Sequence, residues 1–568
     1  MVRMNKRSGP PRTSETRSGW NPLTLAFFAG LWIAALPNWP LWQALLGLPE
    51  TASLRGAIFM GGFALMIAAL TGALLALLAW RATVKPAIAF MLLAAALGAH
   101  FMGTYGVVID TTMMVNVAQT DPREVRDLLN LRLLGHVLIL AGLPMAVVWR
   151  IRLRHIGLWR QAARNALVIV AALTVLGALI FLLFADLSTT MRNHRSIRYL
   201  INPVNSLYAA ADLALQANAK PSGPPEPIGI GARIVPRAAG AKPPLLMLVV
   251  GETARADHFS LNGYSRPTNP QLAATDVLSF GNVSSCGTST ATSLPCMFSH
   301  LGKAGFESRG PPHENLLDLA RRAGIAVLWL DNQAGCKGLC DRVPNAYARD
   351  VVAGAPALPA GVCDGAGDDK ECLDEALLIG LDARIAALPA PARERGVLLV
   401  LHQMGSHGPA YYKRSPADLK PFQPECTTNV LQQCDRASLV NAYDNSIAYT
   451  DHVLADAMRW LAAQRFYFQT SLLYISDHGE SLGENNLYLH GLPYALAPRE
   501  QTHVPMLLWL DEWAVPAGSV RAPRACVAGR RDAPLTHDNL FHSVLGLLGI
   551  QASEYKPALD ALAACRAP

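Results

Sequence analysis

The residues best suited to chemistry in this chain are a threonine and three candidate metal ligands that lie far apart in the sequence. Thr290 lies in a segment rich in serine and threonine, which two cysteines bracket. Glu252 follows one apolar run, and Asp477 and His478 follow another. Two carboxylates and one imidazole make an incomplete zinc shell whose fourth position the Thr290 hydroxyl can fill. Because a bound dication lowers the pKa of a hydroxyl, this set predicts a metal-activated nucleophile.

The segment around Thr290 also suits a phosphate. If a helix begins near Thr290, its free backbone N–H groups and its dipole favour an anion there. The alternative is ordinary capping, because serine and threonine are common at helix starts. An aspartate or histidine after a strand can likewise just turn the chain. It is the combined set, in the right order, that favours catalysis.

Two loop histidines and one lysine extend this candidate site. His407 follows an apolar run, and His490 lies in a second glycine-containing loop. They could bind a second metal, or hold a phosphate and protonate a leaving oxygen. Lys337, between two cysteines, could supply a point charge to a phosphate. Each of the three could equally be a solvated surface residue.

The first 190 residues predict a membrane domain. A chain of 568 residues is too long for one ordinary domain, and its hydrophobic fraction of 51% and mean hydropathy of +0.22 are high. Five apolar stretches approach the length that crosses a bilayer, and Pro37 and Pro40 interrupt the first. Buried helices of a soluble protein, or a cleaved signal peptide, fit these closely spaced runs less well. The stretches are residues 22–47, 56–80, 86–108, 131–149 and 166–185.

Basic residues assign the sides of the membrane. The net charge of +7 is concentrated in particular connections, which argues against a nucleic-acid partner. The N-terminal tail and the second and fourth connections are basic, whereas the third is acid-rich, so the N-terminus is expected in the cytoplasm. Five crossings then place everything after about residue 186 outside the cytoplasm. The basic residues are Arg3, Lys6, Arg7, Arg12 and Arg17 in the tail, Arg81 and Lys85 in the second connection, and Arg150, Arg152, Arg154, Arg160 and Arg164 in the fourth.

The cysteines agree with an exported catalytic part. All ten lie after residue 280, and an even number confined to one half indicates disulfides in an oxidising compartment. A structural zinc site at the closest pair is the alternative, but no second close pair is arranged to complete it. The close pairs are Cys286/Cys296, Cys336/Cys340, Cys363/Cys372 and Cys426/Cys434, and the pairing of Cys526 and Cys565 is left open.

From about residue 243 the pattern predicts an α/β domain with a mostly parallel sheet, because continuous apolar runs alternate with helical segments. Ligands in such folds lie beyond the carboxyl ends of the strands, where Glu252, Asp331, His402 and Asp477 fall. The predicted strands are Leu245–Val250, Ile325–Leu330, Val397–Leu401, Leu472–Ile475 and Val504–Leu510. The predicted helices are Glu314–Ala323, Glu375–Ala387 and Leu439–Gln464.

Composition predicts three parts. Residues 1–189 form the membrane domain, 190–242 a juxtamembrane segment and linker, and 243–568 the catalytic domain. The proline-rich stretch Lys220–Pro227 marks a boundary. The polar residues just past the last apolar stretch suit either a headgroup-facing segment or a plain linker.

At this point the chain resembles a known family, the lipid A phosphoethanolamine transferases, which includes transferable polymyxin-resistance enzymes. The resemblance covers nearly the whole chain, including the five-span anchor. The matching stretches are Val250–Pro270, Cys286–Ser299, His402–Arg414, Tyr443–Asn445 and Ser476–Pro493, with Tyr105–Asp110 and His194–Asn205 outside the catalytic part.

The resemblance implies an alkaline-phosphatase-like fold and a two-step reaction. In this family pattern Thr290 attacks phosphatidylethanolamine and releases diacylglycerol, and a phosphate of lipid A then takes the phosphoethanolamine group. The added amine offsets the anionic surface that cationic peptides such as polymyxin bind. The resemblance also implies a multi-pass protein of the bacterial inner membrane with its catalytic domain in the periplasm. A monomer is expected, with one firmly bound Zn²⁺ and room for a second. The implied zinc ligands are Glu252, Thr290, Asp477 and His478, and the implied substrate or second-metal residues are His407, His490, Lys337 and Glu480.

Other functions remain open at this stage. A sulfatase would share the fold, but its usual Cys/Ser-x-Pro-x-Arg motif is absent from the sequence. A phosphoglycerol transferase of the lipoteichoic-acid type shares five spans and a threonine nucleophile. A membrane-anchored zinc-binding protein would explain the ligands but not the threonine among them. Within the ethanolamine family the acceptor could instead be core heptose, Kdo or a periplasmic glucan.

The connection between the third and fourth apolar stretches holds the last candidate residues. Asn116, Thr120 and Glu124 recur every four residues, a spacing that aligns polar groups on one helical face. Glu124 could then pair with the ethanolamine ammonium of the donor. The alternative is that a helix restarts at Pro122, with Asp121 and Glu124 resembling a capping box, and that the shared face is lost. The resemblance favours the functional alternative.

Overall fold

The computed structural model describes residues 19–219, 223–364, 371–511 and 523–566. The basic residues of the N-terminal tail, Lys220–Ser222 of the proline-rich boundary and residues 512–522 lie outside these ranges. The chain forms two compact units. One holds the described residues up to Gly103 together with Leu131–Tyr208, and the other holds Thr104–Asn130 and the residues from Ala209 onward.

The helices of the described residues are α1 (Pro22–Ala35), α2 (Trp39–Leu46), α3 (Leu54–Leu77), α4 (Val84–Tyr105), α5 (Thr111–Gln119), α6 (Pro122–Leu128), α7 (Leu131–Val137), α8 (Leu143–Arg150), α9 (Leu158–Leu182), α10 (Phe184–Asn193), α11 (Val204–Ala219), α12 (Pro270–Ala273), α13 (Thr290–Met297), α14 (Gly302–Glu307), α15 (Leu316–Arg322), α16 (Leu381–Ala386), α17 (Ala390–Arg393), α18 (Arg436–Ala463), α19 (Arg499–Thr502), α20 (Arg524–Ala528) and α21 (Asp538–Leu548).

The strands are β1 (Arg233–Ile234), β2 (Pro244–Gly251), β3 (Leu278–Ser284), β4 (Ala326–Asp331), β5 (Asn345–Tyr347), β6 (Cys363–Asp364), β7 (Glu371–Cys372), β8 (Val397–His402), β9 (Gln469–Ser476), β10 (Ser481–Leu482), β11 (Tyr488–Leu489), β12 (His503–Leu510), β13 (Leu535–Thr536) and β14 (Ile550–Gln551).

The helices before residue 190 match the five predicted spans. Four are long and apolar enough to cross a membrane, namely α3, α4, α9 and the continuous segment Leu131–Arg150. The fifth is the pair α1 and α2, bent by 45° at the break that the two prolines predict. The last span begins at Leu158, earlier than its predicted start. The predicted domain boundaries stay predictions.

A buried asparagine satisfies the backbone at the bend between α1 and α2. Asn38 is fully buried, and its amide donates to Ile33 O (2.8 Å) and to Asn202 O (2.6 Å). Its side-chain oxygen accepts from Asn202 N at 2.9 Å. Because a broken helix leaves carbonyl groups without partners, this one side chain compensates the bend and holds residue 202 beside it.

The second unit is built on an eight-stranded sheet in the order β13-β3-β12-β9-β2-β8-β4-β5. Strand β12 runs antiparallel to both neighbours, and the other pairs are parallel. The prediction of a mostly parallel sheet is confirmed, and the five predicted strands correspond to β2, β4, β8, β9 and β12. Apolar layers cover both faces, and all eight residues of β2 are buried.

The predicted helices are also present, with one correction. Segment 375–387 is not one helix, because Gly380 adopts φ +73° and separates a 3₁₀ turn, Asp374–Leu378, from α16. The other two predicted helices correspond to α15 and α18.

Removal of the Asn38 side chain tests this account of the bend. Asn38→Ala should lower the free energy of unfolding by about 2–4 kcal/mol, because it leaves buried backbone groups unpaired. The measurement is the thermal midpoint of the full chain in detergent. Asn193→Ala, at an exposed asparagine of the same unit, is the control. Equal midpoints for the two variants would contradict a role for Asn38 in the bend.

Candidate active site

The strand register brings the predicted metal ligands together. Gly251 pairs with Ser476 at the carboxyl ends of β2 and β9, so the residues that follow each strand emerge side by side. His478 Nε2 lies 3.4 Å from Glu252 Oε1 and 3.4 Å from Asp477 Oδ2. All three side chains are fully buried, and one ligand atom of each lies within 4.8 Å of the others.

Thr290 is the first residue of α13 and points into this cluster. Its hydroxyl donates to the Glu252 carboxylate, with Oγ1 3.0 Å from Oε2 and 3.2 Å from Oε1. The same oxygen lies 3.4 Å from His478 Nε2. The helix start that the sequence predicts at Thr290 is therefore present, with Ser289 as its N-cap. The threonine oxygen is thus a fourth candidate metal-ligand atom beside the two carboxylates and the imidazole.

The charges of this cluster fit a divalent cation. Burial and the neighbouring Glu252 raise the pKa of Asp477 to about 6. Burial opposes the charge on His478, yet the Asp477 and Glu252 carboxylates raise its pKa to about 10. Asp477 Oδ2 has no hydrogen-bond partner among the described residues. Two buried carboxylates thus depend on a proton on His478, and a bound dication would supply the compensating charge in its place.

The two loop histidines lie next to this cluster. The ring centroid of His490 is 4.3 Å from that of His478 and 5.7 Å from that of His407. Burial, with the charges of His478 and His407, lowers the pKa of His490 well below its usual value, so this imidazole is neutral. It can accept a hydrogen bond or bind a metal.

The helical face predicted for Asn116, Thr120 and Glu124 is not formed. Helix α5 ends at Gln119, Thr120 is extended with ψ 131°, and α6 begins at Pro122. The Thr120 hydroxyl donates instead to Asn116 O at 2.7 Å. The expectation of one shared face was wrong because proline starts a new helix there.

Glu124 nevertheless reaches the histidines. Its Oε1 accepts from Gln333 Nε2 at 3.0 Å and lies 3.9 Å from His407 Nε2. The acid-rich connection therefore contributes a carboxylate beside His407. It does so from α6, and not from one continuous helix as the spacing predicts.

The remaining predicted site residues have other partners. Glu480 is fully buried and accepts from the Tyr411 hydroxyl at 2.7 Å, and burial raises its pKa to about 8. Lys337 Nζ donates to Gln119 O and Ala334 O, each at 3.2 Å. Its backbone is left-handed with φ +50°, which is unusual for a residue with a side chain. These contacts place Lys337 beside the end of α5 rather than in an ion pair.

Sequence reasoning missed Asp127, which attaches α6 to the catalytic unit. Its carboxylate bonds Lys413 at 2.5 Å and Arg414 at 2.8 Å, and its carbonyl accepts from Asn429 at 2.6 Å. Arg414 also donates to His407 O at 2.9 Å. The acidic character of this connection was the available signal, but nothing in the sequence indicates the partners.

Asp374 and Gly405 shape the loop that carries His407. Asp374 accepts from the N–H of Gly405 (2.9 Å) and of the residue before it, and Ser406 N donates to Glu252 O at 3.0 Å. Gly405 has φ +53°, and a Cβ there would lie 2.7 Å from Glu252 O. A glycine is needed because the loop passes directly over the backbone of Glu252.

All ten cysteines are paired. The four close pairs agree with those that the sequence indicates, and the two remaining cysteines form the fifth. The pairs are Cys286–Cys296, Cys336–Cys340, Cys363–Cys372, Cys426–Cys434 and Cys526–Cys565. The first of them closes the loop that carries Thr290.

Comparison with known proteins identifies the family. The sulfatase family profile matches residues 244–550, and the profile described as phosphoethanolamine transferase EptA/EptB matches residues 67–217. Phosphatidylethanolamine transferase Mcr-1 of Escherichia coli is 38% identical over 504 residues, 87% of this chain and 90% of Mcr-1. Phosphoethanolamine transferase EptA of E. coli K12 is 40% identical over 490 residues, 85% of this chain and 86% of EptA. The chain belongs to the phosphoethanolamine transferase family.

A solved structure extends this result to both parts of the chain. The integral membrane lipooligosaccharide phosphoethanolamine transferase A of Neisseria meningitidis matches with a TM-score of 0.88 and 31% identity. The match covers 96% of this chain and 99% of that protein. The predictions of family, fold class and enzyme class are confirmed, and with them a transferase of the inner membrane whose catalytic domain lies in the periplasm. The sulfatase, phosphoglycerol transferase and non-enzymatic alternatives are set aside.

The pKa of His478 predicts how zinc binding depends on pH. The imidazole must lose its proton to bind a metal, and its pKa is about 10, so zinc affinity should fall about tenfold per pH unit below that value. Below about pH 6 the protonation of Asp477 should steepen the fall. Calorimetric titration of the metal-stripped full chain, in buffers of different ionisation enthalpy, should detect about one proton released per zinc at pH 8. His478→Asn should abolish that release, and its persistence would contradict the assignment.

The Asp127 contacts predict a role for α6 in activity. Asp127→Asn removes a carboxylate between two cations and should loosen the helix that carries Glu124. We expect transfer activity to fall about tenfold or more, because small misplacements of positioning groups are costly. Headgroup release from a fluorescent donor lipid is the measurement. Asp276→Asn, at an exposed carboxylate, should retain full activity. Wild-type rates for Asp127→Asn would rule out this role.

Proposed function

We propose that this enzyme transfers phosphoethanolamine from phosphatidylethanolamine to a phosphate of lipid A through a covalent phosphoethanolamine ester of Thr290. The observation that carries the proposal is the position of the Thr290 hydroxyl. It lies within 3.4 Å of both Glu252 and His478 at the start of a buried helix. A hydroxyl in such a place, among buried ligand groups, is suited to attack phosphorus.

Thr290, Glu252, Asp477 and His478 would hold one Zn²⁺. When bound, the ion would lower the pKa of the threonine hydroxyl and offset the charge of the phosphate oxygens. The hydrogen bond from Thr290 to Glu252 orients the hydroxyl within the cluster. His407 and His490 would contact the substrate phosphate, or a second ion, because their rings lie beside His478.

In the first step a bond forms between Thr290 Oγ and phosphorus, and the bond from phosphorus to the diacylglycerol oxygen breaks. Thr290 passes its proton to the Glu252 carboxylate, to which its hydroxyl donates, and the departing oxygen gains a proton. His407 is suited to deliver it, since it adjoins both His490 and the Glu124 carboxylate. In the second step a phosphate oxygen of lipid A attacks the same phosphorus, and the bond to Thr290 Oγ breaks.

The donor headgroup would lie along the Asn116–Glu124 segment. Glu124 offers a largely buried carboxylate beside the histidines, which suits the ethanolamine ammonium. Asn116 and Thr120 would help to hold the headgroup, although no helical face joins them to Glu124. Lys337 contacts the end of α5 and would add a positive charge near the phosphate, and Glu480 would act from the buried side of the cluster.

Two matched threonine variants test the proposal. Thr290→Ala should lower transfer at least 10³-fold, as removal of a nucleophile does, while zinc is largely retained. Thr292→Ala, two residues further along the same helix, should transfer normally. The measurements are mass spectrometry of lipid A from a transferase-deficient strain that expresses each variant, polymyxin susceptibility, and mapping of the Thr290 peptide for the covalent ester.

Two results would overturn separate parts of this proposal. An active Thr290→Ala enzyme would exclude the covalent mechanism. Phosphoethanolamine found on core heptose, Kdo or glucan, with lipid A unmodified, would exclude lipid A as the acceptor.

A further inference from the structure

One buried imidazole outside the ligand set joins the nucleophile segment to the metal-ligand strand. His537 precedes α21 and is 1% exposed. Cys286 N donates to its Nδ1 at 3.0 Å, and its Nε2 lies 2.9 Å from Ser476 O. The Ser293 hydroxyl lies 3.2 Å from the same Nδ1.

These partners determine the tautomer. A backbone N–H can only donate, so Nδ1 accepts from Cys286 and carries no proton. The proton of the neutral ring is then on Nε2, where it donates to the carbonyl oxygen of Ser476. Burial lowers the pKa of His537 to about 3, which agrees with a neutral ring. Both ring nitrogens therefore form hydrogen bonds, Nδ1 with the segment that carries Thr290 and Nε2 with the end of β9.

Each partner is close in sequence to a group of the proposed reaction. Cys286 is four residues before Thr290, and Ser476 directly precedes Asp477. Ser293, one turn after Thr290 on α13, donates its hydroxyl proton to Asp477 O. The backbone of His537 is held independently, because its N–H donates to Ser284 O where β13 pairs with β3. The ring thus extends from a fixed point to both halves of the site.

We propose that His537 is a positioning residue whose neutral ring, bonded to Cys286 and Ser476, sets the distance of Thr290 from Asp477 and His478. It acts through those backbone groups and has no contact with substrate. The two bonds are of different kinds. The bond to Cys286 holds the segment that carries the nucleophile, which is otherwise a loop closed by a disulfide. The bond to Ser476 is made to a strand end that the sheet already holds. The Cys286 bond is therefore the one that the site depends on.

His542, which lies within α21, offers a matched control. It is fully buried, and its Nδ1 accepts from Lys556 N at 3.1 Å, so it also uses its ring to hold a backbone amide. Its partner belongs to the C-terminal segment rather than to the site. His537→Phe and His542→Phe therefore each remove one ring bond to a backbone amide, and His537→Phe also removes the bond to Ser476 O.

The first test compares these two variants as full-length protein. Both should lower the thermal midpoint by similar amounts. Only His537→Phe should lower kcat, by about 10- to 100-fold, with KM for the donor lipid within about twofold. Hydrogen–deuterium exchange should also become faster in the peptide that spans residues 285–297, and only in that variant. Equal loss of kcat in both variants, a change confined to KM, or unchanged exchange would overturn the proposal.

The second test separates the two bonds. His537→Asn places an oxygen acceptor near the Nδ1 position and should recover most of the lost kcat and the slow exchange. The side chain of His537→Gln reaches the Nε2 position and should keep only the bond to Ser476. The kcat of this variant should therefore stay low, and exchange in residues 285–297 should stay fast. If Gln restores as much as Asn, the assignment to Cys286 is wrong. This comparison also decides the matter if His537→Phe does not fold.

The kinetic measurements rest on the proposed function, whereas the exchange measurement does not. If the wild type shows no headgroup transfer, the proposed function fails. The comparison of exchange between His537 and His542 variants still decides whether the ring holds the nucleophile segment.

Discussion

The burial of two carboxylates side by side is the constraint on which the rest of the catalytic unit depends. Glu252 and Asp477 leave adjacent parallel strands at the same level, and neither is exposed to solvent. Two like charges without water repel each other strongly, so a cation between them stabilises the arrangement. A proton on His478 can serve, and a metal ion would serve better. The Thr290 hydroxyl donates to the Glu252 carboxylate of this pair, so the group that we propose as the nucleophile lies where the two buried charges need compensation.

This constraint explains why so much of the surrounding structure consists of buried polar bonds. The loop that carries His407 passes over the backbone of Glu252 and is held by Asp374. The helix that carries Thr290 is tied to Asp477 through Ser293. A cluster of charges with one compensating site tolerates little displacement, because each added ångström weakens the attraction that offsets the cost of burial. The Cys286–Cys296 disulfide also limits displacement of Thr290, because it closes the loop that carries this residue.

The same logic accounts for the segment between the third and fourth spans. It is acidic, and the catalytic unit holds it by a buried contact of Asp127 with Arg414. That contact brings Glu124 beside a histidine and so adds a carboxylate to the site from outside the sulfatase-like region. Arg414 joins the two, since it bonds both Asp127 and the carbonyl of His407.

The sequence by itself determined the elements whose signal is local. Long apolar runs predicted the spans, and continuous apolar strands predicted β2, β4, β8, β9 and β12, because burial on both faces leaves no other composition. It did not reveal β3, whose seven residues include a glycine and an asparagine, or the two-residue β13, since such strands form only through their partners. The residue types at the strand ends indicated Glu252, Asp477 and His478, and the resemblance implied their roles and added Glu480.

Only the tertiary structure decided which distant residues meet. The contacts of Asp127 with Arg414 and of His537 with Cys286 and Ser476 join positions that are 287, 251 and 61 residues apart, and an isolated aspartate or histidine carries no mark of its partner. The four-residue spacing of Asn116, Thr120 and Glu124 was a local signal that predicted one continuous helical face. That prediction was wrong because a new helix begins at Pro122. Periodicity reports which side of an element is buried. It cannot report the register or the loop path that brings two elements together, because these depend on packing and charge compensation across the whole fold.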